Sequence, residues 1–352
     1  MLGPHRERTM ARKKKTSEVE RDDIAPGLVV KTKKRLVVAA GSSHPELAQA
    51  VAAELESSLV PTEHRTFASG EILTRFEVSI RGCDIFLIQS FGPPVNEWLM
   101  ELLIMLDAAK RASAKRISVV APYYPYSRQD KKGRGREPIS ARLVADLLKT
   151  AGADRVMSVD LHAAQIQGFF DGPVDHLFAK PVLLDYFEKS LSADDRAKLT
   201  VVSPDTGRVR VADTWSDSLN APLAIIHKRR DPNVANQVTV NDIVGNVEGR
   251  VCLLVDDMID TGGTIVKAAQ ALKKDGAERV IVAATHAIFS DPAVERLQDP
   301  AIDEVVVTDT IPLPPEKRFP GLTVLPIAPL LARAIKEVFE DGSVTSMFDG
   351  AA

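Results

Sequence analysis

Three carboxylates, two glycines and two threonines fall within nine residues of the sequence, Asp256-Asp257-Met258-Ile259-Asp260-Thr261-Gly262-Gly263-Thr264. The apolar run 251–255 before them has the pattern of a strand buried on both faces of a parallel sheet. An amphipathic helix over 264–274 follows, with Gly276 placed to end it, and a second apolar run over 280–284 completes a β-α-β unit. The free N–H groups and dipole of a helix N-terminus attract phosphate. Gly262 and Gly263 lack Cβ and let the backbone wrap an anion closely, while Thr261 and Thr264 add hydroxyl donors. Asp256 and Asp257 would repel an anion, yet paired carboxylates suit the vicinal hydroxyls of a sugar. The stretch therefore reads as a sugar-phosphate pocket. The competing reading is an Asp/Gly-rich surface turn.

Other chemistry-bearing residues also stand after apolar runs, where open α/β sheets bind ligands. After a strand over 117–121 comes a polar loop, 122–137, with the cations Arg128, Lys131, Lys132, Arg134 and Arg136. Arg128 and Gln129 there could hold a polyphosphate and a base edge. A strand over 155–160 ends in Asp160-Leu161-His162, where the histidine is a candidate ligand. A strand over 200–203 leads to Asp205, for which a plain turn is an equal reading. A strand over 223–226 precedes His227-Lys228-Arg229-Arg230-Asp231-Pro232-Asn233, either a hairpin tip or a flap closing on anionic substrate.

The elements that must position these residues alternate between strand and helix through both halves of the chain. A strand over 36–40 precedes a helix over 46–55, with Ser43 and Glu46 as a capping box. Strands are expected over 74–80, 85–89, 302–308 and 322–325. Helices are expected over 97–111, 140–151, 183–189, 209–219 and 328–340. The middle of the 97–111 helix is apolar on nearly every side, so it lies in a core or between subunits. His286 and Asp291 flank the end of the 280–284 strand.

A length of 352 residues suggests about two domains. The 45% hydrophobic and 26% charged content is that of a globular protein, and a net charge of −3 gives no electrostatic case for nucleic acid. Cys83 and Cys252 sit beside apolar runs and read as reduced and buried, not as a disulfide or metal site. No apolar run is long enough to span a bilayer and no secretory signal is evident, so a cytoplasmic protein without membrane contact is expected. Residues 1–34, with the basic cluster Arg12-Lys13-Lys14-Lys15, read as a solvated extension, with nucleic-acid contact or a localisation role as the alternative. Met10 is a second candidate start.

The loop Asp256 to Thr264 resembles the phosphoribosyl-diphosphate loop shared by phosphoribosyltransferases and phosphoribosyl-diphosphate synthetases, and alone does not choose between them. Taken with Pro122-Tyr123-Tyr124-Pro125-Tyr126-Ser127-Arg128-Gln129-Asp130, Asp160-Leu161-His162-Ala163, Gln165-Ile166-Gln167-Gly168-Phe169-Phe170 and Lys228-Arg229-Arg230, it resembles the ribose-phosphate diphosphokinases. The likeness runs over about 35–349 and is strongest to the actinobacterial form. It implies transfer of the diphosphoryl group of MgATP to the 1-hydroxyl of ribose 5-phosphate. It also implies an α/β fold of two phosphoribosyltransferase-like domains, each a mostly parallel sheet flanked by helices. These would span 35–180 and 181–330, with a C-terminal helix and tail over 331–352 packing back toward the first. Arg128, Lys228 and Arg230 are implied as catalytic cations. Phe67, Ser69, Glu71, Arg128, Gln129 and Asp130 are implied to bind ATP. Asp256, Asp257, Asp260, Thr261, Gly262, Gly263 and Thr264 would bind ribose 5-phosphate, and His162 and Asp205 would ligate Mg²⁺.

A homo-hexamer, activation by phosphate and inhibition by ADP are further implications, with Ser79, Arg81, Ser343 and Thr345 as the candidate allosteric residues. Three positions depart from the family pattern. Ser69 stands in place of an acid, Phe91-Gly92 in place of a hydroxyl-rich pair, and the flap has one basic residue fewer. The competing functions are a phosphoribosyltransferase and a non-catalytic partner of a synthetase. The first leaves the Arg128 loop and His162 unexplained; the second is at odds with the presence of Lys228, Arg230, His162 and Asp205.

Overall fold

A computed structural model of the chain describes residues 34–229 and 240–348. The first half runs β1 (Leu36–Ala40), α1 (Pro45–Glu54), β2 (Thr62–Thr66), β3 (Ile72–Phe76), β4 (Asp84–Ile88), α2 (Val95–Arg111), β5 (Arg116–Ala121), α3 (Ser140–Ala151), β6 (Arg155–Val159) and β7 (Val174–Leu177). Except for the antiparallel hairpin β2–β3, these strands form a parallel sheet in the order β1-β4-β5-β6-β7. The second half runs α4 (Lys180–Ser190), α5 (Ala193–Ala197), β8 (Leu199–Ser203), α6 (Val209–Leu219), β9 (Leu223–Arg229), β10 (Val240–Val244), β11 (Val251–Ile259), α7 (Gly263–Lys274), β12 (Arg279–Ala287), α8 (Ala293–Leu297), β13 (Glu304–Thr308), β14 (Leu322–Leu325) and α9 (Ala328–Phe339). Its sheet, β10-β9-β8-β11-β12-β13-β14, is parallel except for β10. The architecture is α/β with mostly parallel sheets flanked by helices, as expected.

The strand pleat explains the near-continuous apolar runs. In β11, Val251, Leu253 and Val255 enter one hydrophobic cluster while Cys252 and Leu254 enter another on the opposite face. In β4, Phe86 and Ile88 take one face and Ile85 and Leu87 the other. Val38, Phe86, Val201 and Leu253 belong to a single cluster, so the two sheets share a core. Cys83 and Cys252 are both buried and unpaired. Among the described residues no helix is long and apolar enough to cross a membrane.

Several boundaries differ from expectation for identifiable reasons. Ser43 does not cap α1: its hydroxyl donates to Gln89 Oε1 at 2.7 Å, and His44 is the N-cap, accepting from the Leu47 N–H at 3.4 Å, with Pro45 opening the helix. The strand expected over 74–80 is Ile72–Phe76, because its partner Thr62–Thr66 pairs only that far. That partner has no apolar alternation and gave no sequence signal. Strand β9 extends through Lys228 to Arg229 because β10 continues its ladder, so His227, Lys228 and Arg229 are strand residues and not loop. His286 lies inside β12 instead of flanking its end. Helix α2 buries Leu102, Met105, Leu106 and Ala109 but leaves Met100 52% exposed, so it is not enclosed on every side within the chain.

One buried polar network anchors the hairpin that carries Phe67, Ser69 and Glu71. Glu101, on α2, accepts from Ser42 N–H at 2.8 Å, Ser42 Oγ at 2.6 Å and Gln89 Nε2 at 2.6 Å, and pairs with His64 Nδ1 at 3.1 Å. His64, on β2, also donates through Nε2 to the Ala40 carbonyl at 3.0 Å. Burial works against the Glu101 charge, but His64, Ser42 and Gln89 outweigh it and hold its carboxyl at about 2, below its ordinary 4.5. The hydrogen bond to Glu101 raises His64 above its ordinary 6.5. We expect Glu101→Ala, which leaves several buried donors unpaired, to destabilise the fold by about 3 kcal/mol in urea titration. A depressed carboxyl stabilises above its unfolded value and loses that contribution as pH falls from 4.5 toward about 2. Acid unfolding should therefore be steeper over that range in the wild type than in Glu101→Ala. Unchanged urea midpoints would show that the network does not hold the hairpin.

Candidate active site

The site is built from the C-terminal ends of strands in both sheets. Strand β11 continues to Ile259, so Asp256 and Asp257 are strand residues, with Asp256 in register with Ala284 of β12. Asp257 is 8% exposed, and its N–H donates to Asp256 Oδ1 at 2.8 Å. Two adjacent carboxylates cannot both hold charge in a dry strand end without compensation. Burial, then the neighbouring Asp257 charge, pushes the Asp256 carboxyl well above the ordinary range. Burial opposes ionisation of Asp257 too, but a hydrogen bond from His162 and the charge of Arg208 outweigh it and keep that carboxyl below the ordinary range.

His162 follows the end of β6, and its Nδ1 lies 2.7 Å from Asp257 Oδ2. Arg208, at the N-terminus of α6, places Nη2 2.6 Å from Asp257 Oδ1, Nε 3.3 Å from Asp256 Oδ1 and Nη1 3.1 Å from the His162 carbonyl. Asp205, between β8 and α6, accepts from the N–H groups of Gly207 at 2.8 Å and Arg208 at 3.2 Å through Oδ1. His162 Nε2 and Asp205 Oδ2 are thus left as donors. Among the described residues no group of three or more His, Cys, Asp or Glu side chains forms a metal cage. One imidazole and one carboxylate fit a Mg²⁺ that keeps most of its ligands as water or substrate oxygen.

Asp260 receives Arg128 Nη1 at 2.7 Å, which brings the 122–137 loop of the first sheet onto the glycine loop of the second. Burial opposes the Asp260 charge, while Ser290 and Arg128 hold its carboxyl below the usual range. Gly262 has φ +71°, a left-handed conformation that suits glycine, and forms the N-cap of α7. The first N–H groups of α7 have no acceptor within the helix. Thr261 and Thr264 are exposed beside them.

The remaining candidates fall in different places. Gln129 is exposed and accepts from Ser140 Oγ at 2.6 Å, whereas Asp130 is buried and accepts from Gln165 Nε2. Phe67, Ser69 and Glu71 occupy the turn of the β2–β3 hairpin. Arg65 stacks over the Phe67 ring at 5.0 Å, and Ser69 Oγ donates to Glu71 Oε2 at 3.0 Å. Lys228 pairs through its backbone with Asn241, and Arg230 lies outside the described residues. Ser79 and Arg81 line a cavity of about 320 Å³, with Ser343 and Thr345 not among its lining residues. Phe91 is fully buried, so it belongs to the core and not to a polar subsite.

Sequence reasoning named Asp160 and His286 without giving them a site role, and gave none to Arg208 or Arg296. Asp160 Oδ2 accepts from Thr285 Oγ1 at 2.6 Å and Ala179 N–H at 3.0 Å, and burial pushes its carboxyl up to about 6. His286, fully buried and lowered to about 4 by that burial, donates through Nε2 to the Val159 carbonyl at 3.0 Å. These bonds stitch the strand ends of one sheet to the other. Arg296 donates to the Thr261 carbonyl at 2.9 Å. Only Arg208 had a usable signal, a cation three residues after Asp205.

Residues 36–152 match the profile of the N-terminal domain of ribose phosphate pyrophosphokinase, and residues 232–349 that of the phosphoribosyl synthetase-associated domain. The ribose-phosphate pyrophosphokinase of Streptomyces avermitilis is 62% identical over 92% of this chain and 99% of its own length. That of Mycobacterium leprae is 59% identical over 91% of this chain and 97% of its own. The crystal structure of phosphoribosylpyrophosphate synthetase from Mycobacterium smegmatis is 58% identical and superposes with a TM-score of 0.83, covering 88% of this chain and 100% of that one. With whole-length identity of this order, the chain belongs to the ribose-phosphate pyrophosphokinase family, and its 256–264 loop meets Arg128 and His162 from the other sheet.

Proposed function

We propose that the chain transfers the diphosphoryl group of MgATP to the 1-hydroxyl of ribose 5-phosphate, giving 5-phosphoribosyl 1-diphosphate and AMP. The observation that carries this reading is the 2.7 Å ion pair between Arg128 and Asp260, which brings the cationic 122–137 loop and the glycine loop together. In this reading Asp256 and Asp257 take the ribose hydroxyls, and Asp260, Thr261, Gly262, Gly263 and Thr264 hold the 5-phosphate. The α7 N–H groups and dipole favour that anion. Arg128, Gln129 and Asp130 take the ATP side, with Phe67, Ser69 and Glu71 reaching adenine. Asp130, already buried against Gln165, would act chiefly by shaping the loop.

Diphosphoryl transfer needs positioning and charge neutralisation more than covalent help. The sugar hydroxyl is itself the nucleophile. Lys228 and Arg230 supply positive charge to the transferring group, and a Mg²⁺ held by His162 and Asp205 would neutralise polyphosphate charge when bound. The depressed Asp257 carboxyl stays ionised, ready to accept a hydroxyl hydrogen bond.

The domains proposed are 35–180 and 181–330, with the tail packing back on the first; α9 contacts α1, which supports this. A hexamer is proposed as well, supported by the exposure of Met100, Leu143 and Leu147 on α2 and α3, since apolar patches of this kind mark subunit contacts. A cytoplasmic location and regulation by phosphate and ADP complete the proposal.

Incubation with ribose 5-phosphate and MgATP should release AMP, followed by chromatography; absence of AMP rejects synthesis. Lys228→Ala should lower kcat by about a hundredfold or more with little change in ribose 5-phosphate affinity, as for a contact made in the transition state. Equal losses in binding and turnover would contradict that role. Asp257→Ala should raise the KM for ribose 5-phosphate about tenfold or more, the usual scale for losing a hydrogen bond to a charged group. An unchanged KM would remove Asp257 from the diol site.

A further inference from the structure

The proposed reaction gives Arg208 no role, yet Arg208 touches four residues that have one. Its fork reaches Asp256 through Nε at 3.3 Å, Asp257 through Nη2 at 2.6 Å and the His162 carbonyl through Nη1 at 3.1 Å. Its own N–H donates to Asp205 Oδ1 at 3.2 Å. The side chain is only 17% exposed. A guanidinium is planar and permanently charged, so several contacts from one plane fix their partners relative to each other, which a lysine ammonium cannot reproduce.

We propose that Arg208 is the positioning residue of the sugar-diol end of the site. It holds Asp256 and Asp257 in one orientation. Arg208 Nη2 donates to Asp257 Oδ1 at 2.6 Å, and Arg208 Nη2 and Asp257 Oδ2 each lie 2.7 Å from His162 Nδ1, so the three side chains meet at one point. Arg208 also joins the N-terminus of α6 to β11, its guanidinium bonding both diol carboxylates and the His162 carbonyl while its backbone N–H bonds Asp205.

This inference rests on the sugar-diol assignment of Asp256 and Asp257. Its test is the binding of ribose 5-phosphate by calorimetry without nucleotide, alongside KM and kcat for both substrates and the thermal midpoint, for wild type, Arg208→Lys and Arg208→Met. Arg208→Lys keeps the charge and loses the fork. It should weaken ribose 5-phosphate binding and raise its KM about tenfold, leave the KM for MgATP within about twofold, and melt close to wild type. Arg208→Met should lose more. A folded Lys variant with unchanged ribose 5-phosphate binding overturns the proposal. So does an equal loss for both substrates, or a Lys variant that does not fold, since either makes Arg208 merely structural. If the wild type binds ribose 5-phosphate but forms no AMP, the reaction is wrong while the binding comparison still judges Arg208.

Discussion

Charge must be kept on a carboxylate inside a dry strand end, and the site is arranged around that requirement. Asp256 and Asp257 lie toward the C-terminal end of β11, Asp257 buried and Asp256 largely so. Left alone, burial would favour the protonated form of each. The nearby cation is Arg208 and the nearby donor is His162, and together they hold one of the two carboxyls ionised. The two acids are adjacent in sequence but unlike in state, because only Asp257 receives both partners.

That compensation is supplied across sheets. His162 comes from the end of β6, Arg208 from the start of α6 and the carboxylates from β11. The same strand ends are joined below the site by Thr285 to Asp160 and by His286 to the Val159 carbonyl. These buried partners are polar but satisfied, which makes the junction directional where an apolar contact would slide. Burial keeps His286 neutral, so it can donate to one carbonyl without adding charge beside Asp160.

The hairpin turn with Phe67, Ser69 and Glu71 depends on a different network, centred on Glu101. It is an ion pair whose lone pairs are nearly all taken by Ser42, Gln89 and His64. A buried charge with this many partners fixes the position of β2 more narrowly than the polar sequence of that strand could. Since membership of the ribose-phosphate pyrophosphokinase family follows from whole-length identity, what the coordinates add is how this chain holds the parts of its site in place.

Much of this was legible in the residues alone. Apolar runs marked most strands, because parallel strands buried on both faces must be apolar at nearly every position. The order strand, glycine loop, helix was read from the sequence, and β11, the left-handed Gly262 and α7 follow in that order, because local backbone geometry creates it. Helices α3 and α6 and strand β14 fell where periodicity and end signals put them. The tertiary structure alone decided which distant residues meet. Nothing local indicates that Arg208 reaches Asp257, that His162 turns Nδ1 to the same acid, or that His286 lies fully buried inside β12. Nor could the sequence reveal that Ser43 bonds Gln89 instead of capping α1, or that β2 is a strand. Secondary structure is set by nearest neighbours along the chain, whereas a buried charge takes its partner from wherever packing brings one within about 3 Å.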